Sequence, residues 1–140
     1  MQKTIYTILL ITICLLSLPL SAAPIRVMLL DGESGGPYHK WQMTTPVLKK
    51  QLEETGLFQV DVVTAPPAKA DFSGFKPEFS KYQVVVMNYD APDERWSDDL
   101  KSSFEQYVKN GGGLVIVHAA NNAFGKWKEY NEMIGIGGQH

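Results

Sequence analysis

The segment 111–122, GGGLVIVHAANN, narrows the folds open to this chain more than any other. Its glycines let the chain leave a helix and turn back. Residues 114–117 then run apolar without polar alternation, the pattern of a parallel strand covered on both faces. The run stops abruptly at His118, two alanines and the amides Asn121 and Asn122. A buried parallel strand ends this way when it delivers a functional group to its carboxyl edge, where the ligand crevices of open α/β sheets lie. A plainer reading stands beside this one, in which His118 is a strand-end histidine tied to a backbone carbonyl.

Three further apolar runs fit the same sheet. Residues 25–31 (IRVMLLD) form a compact β-branched run feeding a glycine-rich loop, 58–63 (FQVDVV) alternates as a strand nearer an edge does, and 82–87 (YQVVVM) reads as a central strand ending in Asn88-Tyr89-Asp90. Between the first two, Thr44 or Thr45 can cap a helix with Pro46 in its first turn, Val47, Leu48 and Leu52 on one face, and Gly56 at its end. Residues 64–81 carry Pro66, Pro67, Gly74 and Pro77, too many breakers for a regular element, so they read as an ordered loop pinned by Phe72, Phe75 and Phe79. Ser97 caps a second helix, with Asp98 and Asp99 in its first turn and Leu100, Phe104, Tyr107 and Val108 at helical spacing. Residues 127–134 predict a third. The alternation of strands and helices predicts an α/β fold, a three-layer sandwich with a mostly parallel sheet.

The opening residues read as a leader. Lys3, the apolar stretch 8–18 and the small residues before Pro24 make residues 1–22 a signal peptide, with residues 23–140 as the domain and an exported, periplasmic or secreted product. The apolar stretch is shorter than the ~20 residues of a full membrane span, so no stable span is expected after cleavage. The single cysteine, Cys14, lies in this leader, which removes disulfides, thiolate ligands and a cysteine nucleophile from the domain. Of 13 basic residues Lys3 also falls in the leader, against 15 acidic ones, so no basic field draws the domain to nucleic acid. A small polar or neutral partner fits better.

A parallel sheet brings the loop after Asp31, the segment after Met87 and the turn at His118 to one edge. Glu33, His39, Trp41, Asn88, Tyr89, Asp90, His118, Asn121 and Asn122 are thereby directed to one crevice. His39 and His118 are the candidate catalytic pair, as general acid/base groups or as nitrogen ligands of a divalent metal such as zinc. A third ligand is not identifiable, although Asp31, Glu33 and Asp90 are available. Trp41, Asn88, Tyr89, Asn121, Asn122 and Trp127 are the candidate substrate-binding residues. Trp41, Trp127 and Tyr130 offer flat faces suited to stacking on sugar rings, or else are partly buried core aromatics. The glycines of residues 32–36 match neither a Walker sequence nor a dinucleotide fingerprint, and the serines, Ser34 among them, lie in loops or helix segments without a placed histidine partner.

Four segments together carry a family resemblance: 38–48 (YHKWQMTTPVL), 79–86 (FSKYQVVV), 108–124 (VKNGGGLVIVHAANNAF) and 127–135 (WKEYNEMIG). They resemble the ThuA-like, or trehalose-utilization, family. The resemblance implies a fold like that of the class I glutamine amidotransferases, flavodoxin-like in outline, and a link to the metabolism of trehalose or a related glycoside. Family domains run on for roughly another hundred residues after the pair matched by Gly137-Gly138, within the ordinary size of a domain. The chain is accordingly expected to hold the amino-terminal part of a ThuA-like domain, with central strands partly uncovered and self-association into a homo-oligomer open to it. Amidotransferase relatives carry their cysteine nucleophile where this chain has His118 and Ala119, and a histidine there cannot form a glutamyl thioester, so glutaminase activity is not implied. Three readings follow: an exported sugar-processing protein acting on a small sugar or glycoside, a non-catalytic carbohydrate-binding module, and an inactive fragment of a longer enzyme.

Overall fold

The structure, a computed structural model, describes residues 22–34 and 36–135. Residues 1–21 of the leader and the pair Gly137-Gly138 lie outside the described residues. Four strands form one sheet: β1 (Ile25–Asp31), β2 (Phe58–Thr64), β3 (Val84–Met87) and β4 (Gly113–Ile116). All pairings are parallel, in the order β2-β1-β3-β4. Register runs from Ile25↔Phe58 to Asp31↔Thr64 between β1 and β2, and from Val27↔Val84 to Leu30↔Met87 between β1 and β3. Among the described residues three α-helices flank the sheet: α1 (Trp41–Glu53), α2 (Asp98–Lys109) and α3 (Lys128–Ile134).

Strand alternation divides the core in two. Val27, Leu29, Val60 and Val86 face α1 and pack with Leu48 and Leu52. Met28, Leu30, Val85 and Met87 face the other way, onto an aromatic layer of Phe79, Trp96, Phe104, Tyr107, Phe124, Trp127 and Tyr130. The breaker-rich connection before β3 is pinned by Phe79, which packs edge-on against Phe104 with ring centroids 5.1 Å apart. Burying such rings stabilises the fold by about 1.5–3 kcal/mol each in transfer terms.

Three details depart from the sequence reading. Helix α1 starts at Trp41, with Lys40 as an N-cap that makes no side-chain bond, so Thr44 and Thr45 lie inside the helix and Pro46 in its second turn. Their hydroxyls are used elsewhere, as described below. Apart from Ile25 at the start of β1, 40% exposed, the central strands are covered rather than partly open, with Leu29 and Val85 both completely buried. The other open apolar positions of the sheet are at its edges, Val62 on β2 at 41% and Val115 on β4 at 48% exposure. β4 is therefore an edge strand rather than one covered on both faces, because among the described residues only β3 hydrogen-bonds to it.

Candidate functional site

The strand order creates a fork. From β1 the chain leaves to α1 on one face, from β3 it leaves to α2 on the other, and the two strands are neighbours. A crevice opens at such a switch point, outside the strand carboxyl ends. Asn88 stands directly in it. Its backbone N–H donates to Leu30 O at 2.9 Å, extending the β1–β3 ladder. Its side chain falls on the α1 side, where Nδ2 donates to Thr44 Oγ1 at 2.9 Å and Thr45 Oγ1 at 3.0 Å. With both amide hydrogens committed, the acceptor Oδ1 is the atom Asn88 has left for a ligand.

Asp31 ends β1 on that same face by alternation with Val27 and Leu29. It is 1% exposed, and its Oδ1 has no hydrogen-bond partner among the described residues. A buried polar atom left unpaired is uncommon and concentrates at functional sites.

His118 follows β4 in a short 3-10 turn, His118–Asn122. Its φ of +42° lies in the left-handed region, an uncommon and costly conformation for a residue with a Cβ. The surroundings hold it there. Val117 N donates to Met87 O at 3.0 Å, Ala120 N to Val117 O at 3.0 Å, and the buried Tyr130 hydroxyl to Ala120 O at 2.7 Å. Ala119 and Ala120 are buried, so the alanine pair reflects a turn pressed into the core. The outcome is a strained strand-to-helix elbow that puts one side chain above the sheet, as nucleophile elbows do, here with an imidazole.

His39 reaches the same point from the loop after β1. Its Nδ1 lies 3.1 Å from His118 Nδ1, and the ring centroids are 4.6 Å apart with planes at 56°. At that distance one Nδ1–H donates and the other Nδ1 accepts, the roles being set by the tautomers. The pair closes one end of a cavity of about 300 Å³ that is also lined by Tyr38, Trp41, Asn88, Tyr89 and Asp90. That volume is at the lower limit of small-molecule sites.

Other sequence candidates are placed differently. Asn121 and Asn122 sit on the turn after His118 but do not line the cavity. Trp127 is 6% exposed, stacks with Tyr130 at 5.6 Å and donates from Nε1 to Glu105 at 3.0 Å, which makes it a core aromatic. Tyr130 is fully buried. Glu33 is held away from the histidines by Arg95 Nε at 2.8 Å and accepts from the Tyr89 hydroxyl at 3.3 Å. Tyr89 borders the cavity from inside the core. Of the aromatic candidates only Trp41 combines partial exposure with a place in the cavity wall. Thr44 and Thr45, which orient Asn88, were missed as site residues because a threonine just before a helical run carries the signature of a cap. Among the described residues, no three His, Cys, Asp or Glu side chains converge as a metal cluster. A second groove, about 740 Å³, lies on another side between the 71–77 loop and the start of α2.

Burial pushes the Tyr89 hydroxyl well above its usual range, reinforced by the Glu33 carboxylate, and burial with the Asp90 carboxylate does the same for Tyr130. Both phenols stay protonated in the fold at pH values where the unfolded chain has lost those protons. Stability from this source is complete below about pH 10, where the unfolded chain also keeps its protons, and falls as pH rises from there towards the folded values. The expected slope is about 1.4 kcal/mol per pH unit for each tyrosine. Urea melts between pH 9 and 11 should show it, with Tyr89→Phe flattening the decline; an unchanged decline in that variant contradicts the assignment.

Comparison with known proteins agrees with this architecture. The family model described as ThuA, trehalose utilisation, matches residues 26–140. Among solved structures, the chain is similar to a ThuA-like protein from Parabacteroides merdae ATCC 43184, with 45% identity and a TM-score of 0.70 over 78% of this chain. The match covers 37% of that protein, so this chain spans little more than a third of its length. No curated protein matches.

Proposed function

The chain belongs to the ThuA, or trehalose-utilisation, family, and from that premise we propose that the crevice at the β1–β3 fork binds a small sugar or glycoside and that His39 and His118 are the groups that act on it. The observation that carries this reading is the 3.1 Å contact between the two Nδ1 atoms at one end of the cavity. The ring that donates its Nδ1–H to the other can take a proton from a sugar hydroxyl at Nε2 as general base, with the accepting imidazole stabilising the imidazolium that forms, and can return that proton to a departing oxygen as general acid. Asn88 Oδ1 supplies a fixed acceptor for a second hydroxyl, and Trp41 an apolar face for the ring. Asp90 brings a carboxylate to the same wall.

The sharpest test uses His118→Ala. Its ring is exposed in the crevice and leaves no core cavity when removed, so the fold should change by less than ~1 kcal/mol. Calorimetric titration with trehalose and related glycosides should show at least a tenfold loss of affinity, about 1.4 kcal/mol. Unchanged affinity in a folded variant rejects the assignment. A non-catalytic module is distinguished by sugars that bind and are recovered chemically unaltered. Export belongs to the same proposal, supported by the apolar stretch 8–18 and the small residues that follow. Mass spectrometry of the secreted product should place its amino terminus near Ala23, and a product retaining Met1 contradicts export by cleavage.

A further inference from the structure

The two histidines also have the geometry of a chelate. Neither ring has another hydrogen-bond partner among the described residues, and their Nδ1 atoms face each other at 3.1 Å. An ion at a metal–nitrogen distance of about 2.05 Å from both atoms, with the observed 3.1 Å between them, subtends an angle of about 98°. That value falls between the octahedral and tetrahedral ideals, so the two nitrogens already stand at the spacing of two ligands of one ion, and the rings need only turn to converge on it.

The donor set selects the metal class. Two imidazole nitrogens favour a late first-row divalent ion, zinc, cobalt, nickel or copper, over calcium or magnesium, which prefer all-oxygen shells. Glu33, the acid nearest in sequence to His39, is already bound to Arg95 and does not compete. We propose that His39 and His118 bind one such cation through their Nδ1 atoms, the proton that lay between them moving to Nε2 of its own ring by exchange with water. A two-residue chelate leaves at least two coordination positions facing the cavity, where water or the vicinal hydroxyls of a polyol can ligate. The elbow at His118, strained at φ +42°, fixes one ligand before the metal arrives. The inference rests on the same crevice as the sugar reading but does not require a sugar.

The test is titration of the tag-free full chain with Co(II), followed by its ligand-field absorption, and with Zn(II) by calorimetry. Saturable binding of one ion per chain is expected, at least tenfold weaker in His39→Ala and in His118→Ala. His140→Ala should bind like the parent chain, which separates the crevice from the remaining histidine. Circular dichroism checks that the variants are folded; should either unfold, ring ¹⁵N shifts of His39 and His118 on adding Zn(II) to the parent chain decide instead. No saturable binding, binding indifferent to both substitutions, or ring shifts confined to His140 overturns the proposal. Metal binding without any response to sugars would leave the chelate standing and remove the sugar reading, and the converse result would do the opposite.

Discussion

Gly32→Ala is expected to cost about 4 kcal/mol, the sum of a strained backbone and an overpacked contact. Gly32 follows the last residue of β1 at φ +124°, a conformation that L side chains rarely adopt. An added Cβ would lie 2.3 Å from Ala65 O and 2.7 Å from Ala65 N. Those are backbone atoms, so no rotamer change relieves the clash. Ala65 N donates to Asp31 O at 2.7 Å, and parting the two chains breaks that bond at the end of the β1–β2 ladder. The disturbance would reach the loop that carries His39. Urea unfolding measures the loss, with Gly125→Ala as control, since nothing lies within 4 Å of a Cβ at that glycine. A cost below about 1 kcal/mol for Gly32→Ala would mean that the β1 exit is not held as described.

Arg95→Leu is the second large effect, expected at about 3–5 kcal/mol, the usual result of removing one partner of a buried ion pair. The side chains of Arg95 and Glu33 are 13% and 11% exposed and meet at 2.8 Å. The same guanidinium donates through Nη2 to Pro66 O at 3.1 Å and Pro67 O at 2.8 Å, and lies over the Phe72 ring at 4.4 Å. It therefore ties three separate segments together: the loop after β1, the breaker-rich connection before β3, and the 3-10 turn Asp93–Arg95. Leucine would leave the Glu33 carboxylate and the carbonyls of Pro66 and Pro67 without their charged donor. Glu33→Gln in the Arg95→Leu background should recover part of the loss by removing the uncompensated charge. Thermal unfolding of the two single variants and the double variant tests this, and full additivity would contradict the pairing.

The sheet was legible in the sequence because each strand is a short apolar run punctuated by glycine, proline or asparagine, and their edge and central positions follow from alternation. The exception, β4, shows why. An unbroken apolar run specifies a strand that can be covered, not one that is, and Val115 is half open on the edge. Asn88, His39 and His118 were legible in their placement, at one crevice, because each interrupts or follows an apolar element with a polar group. Trp127 was not. An aromatic at a helix start carries the same pattern whether its face meets a ligand or, as here, Trp96, Phe104 and Tyr130. The Glu33–Arg95 pair, 62 residues apart in sequence, and the threonine cradle of Asn88, 43 and 44 residues away, depend on tertiary placement that no local pattern encodes.

The claim that the fork between β1 and β3 is a sugar site is tested most directly by NMR titration of the ¹⁵N-labelled chain with trehalose and related glycosides. The account predicts saturable shifts in the rings of His39 and His118, in the Asn88 side-chain amide and in the backbone amides of Ala119 and Ala120, all abolished together by His118→Ala. Shifts confined to Phe72, Phe75, Arg95 and Ser97, around the second groove, or a spectrum indifferent to every sugar at millimolar concentration, would contradict it.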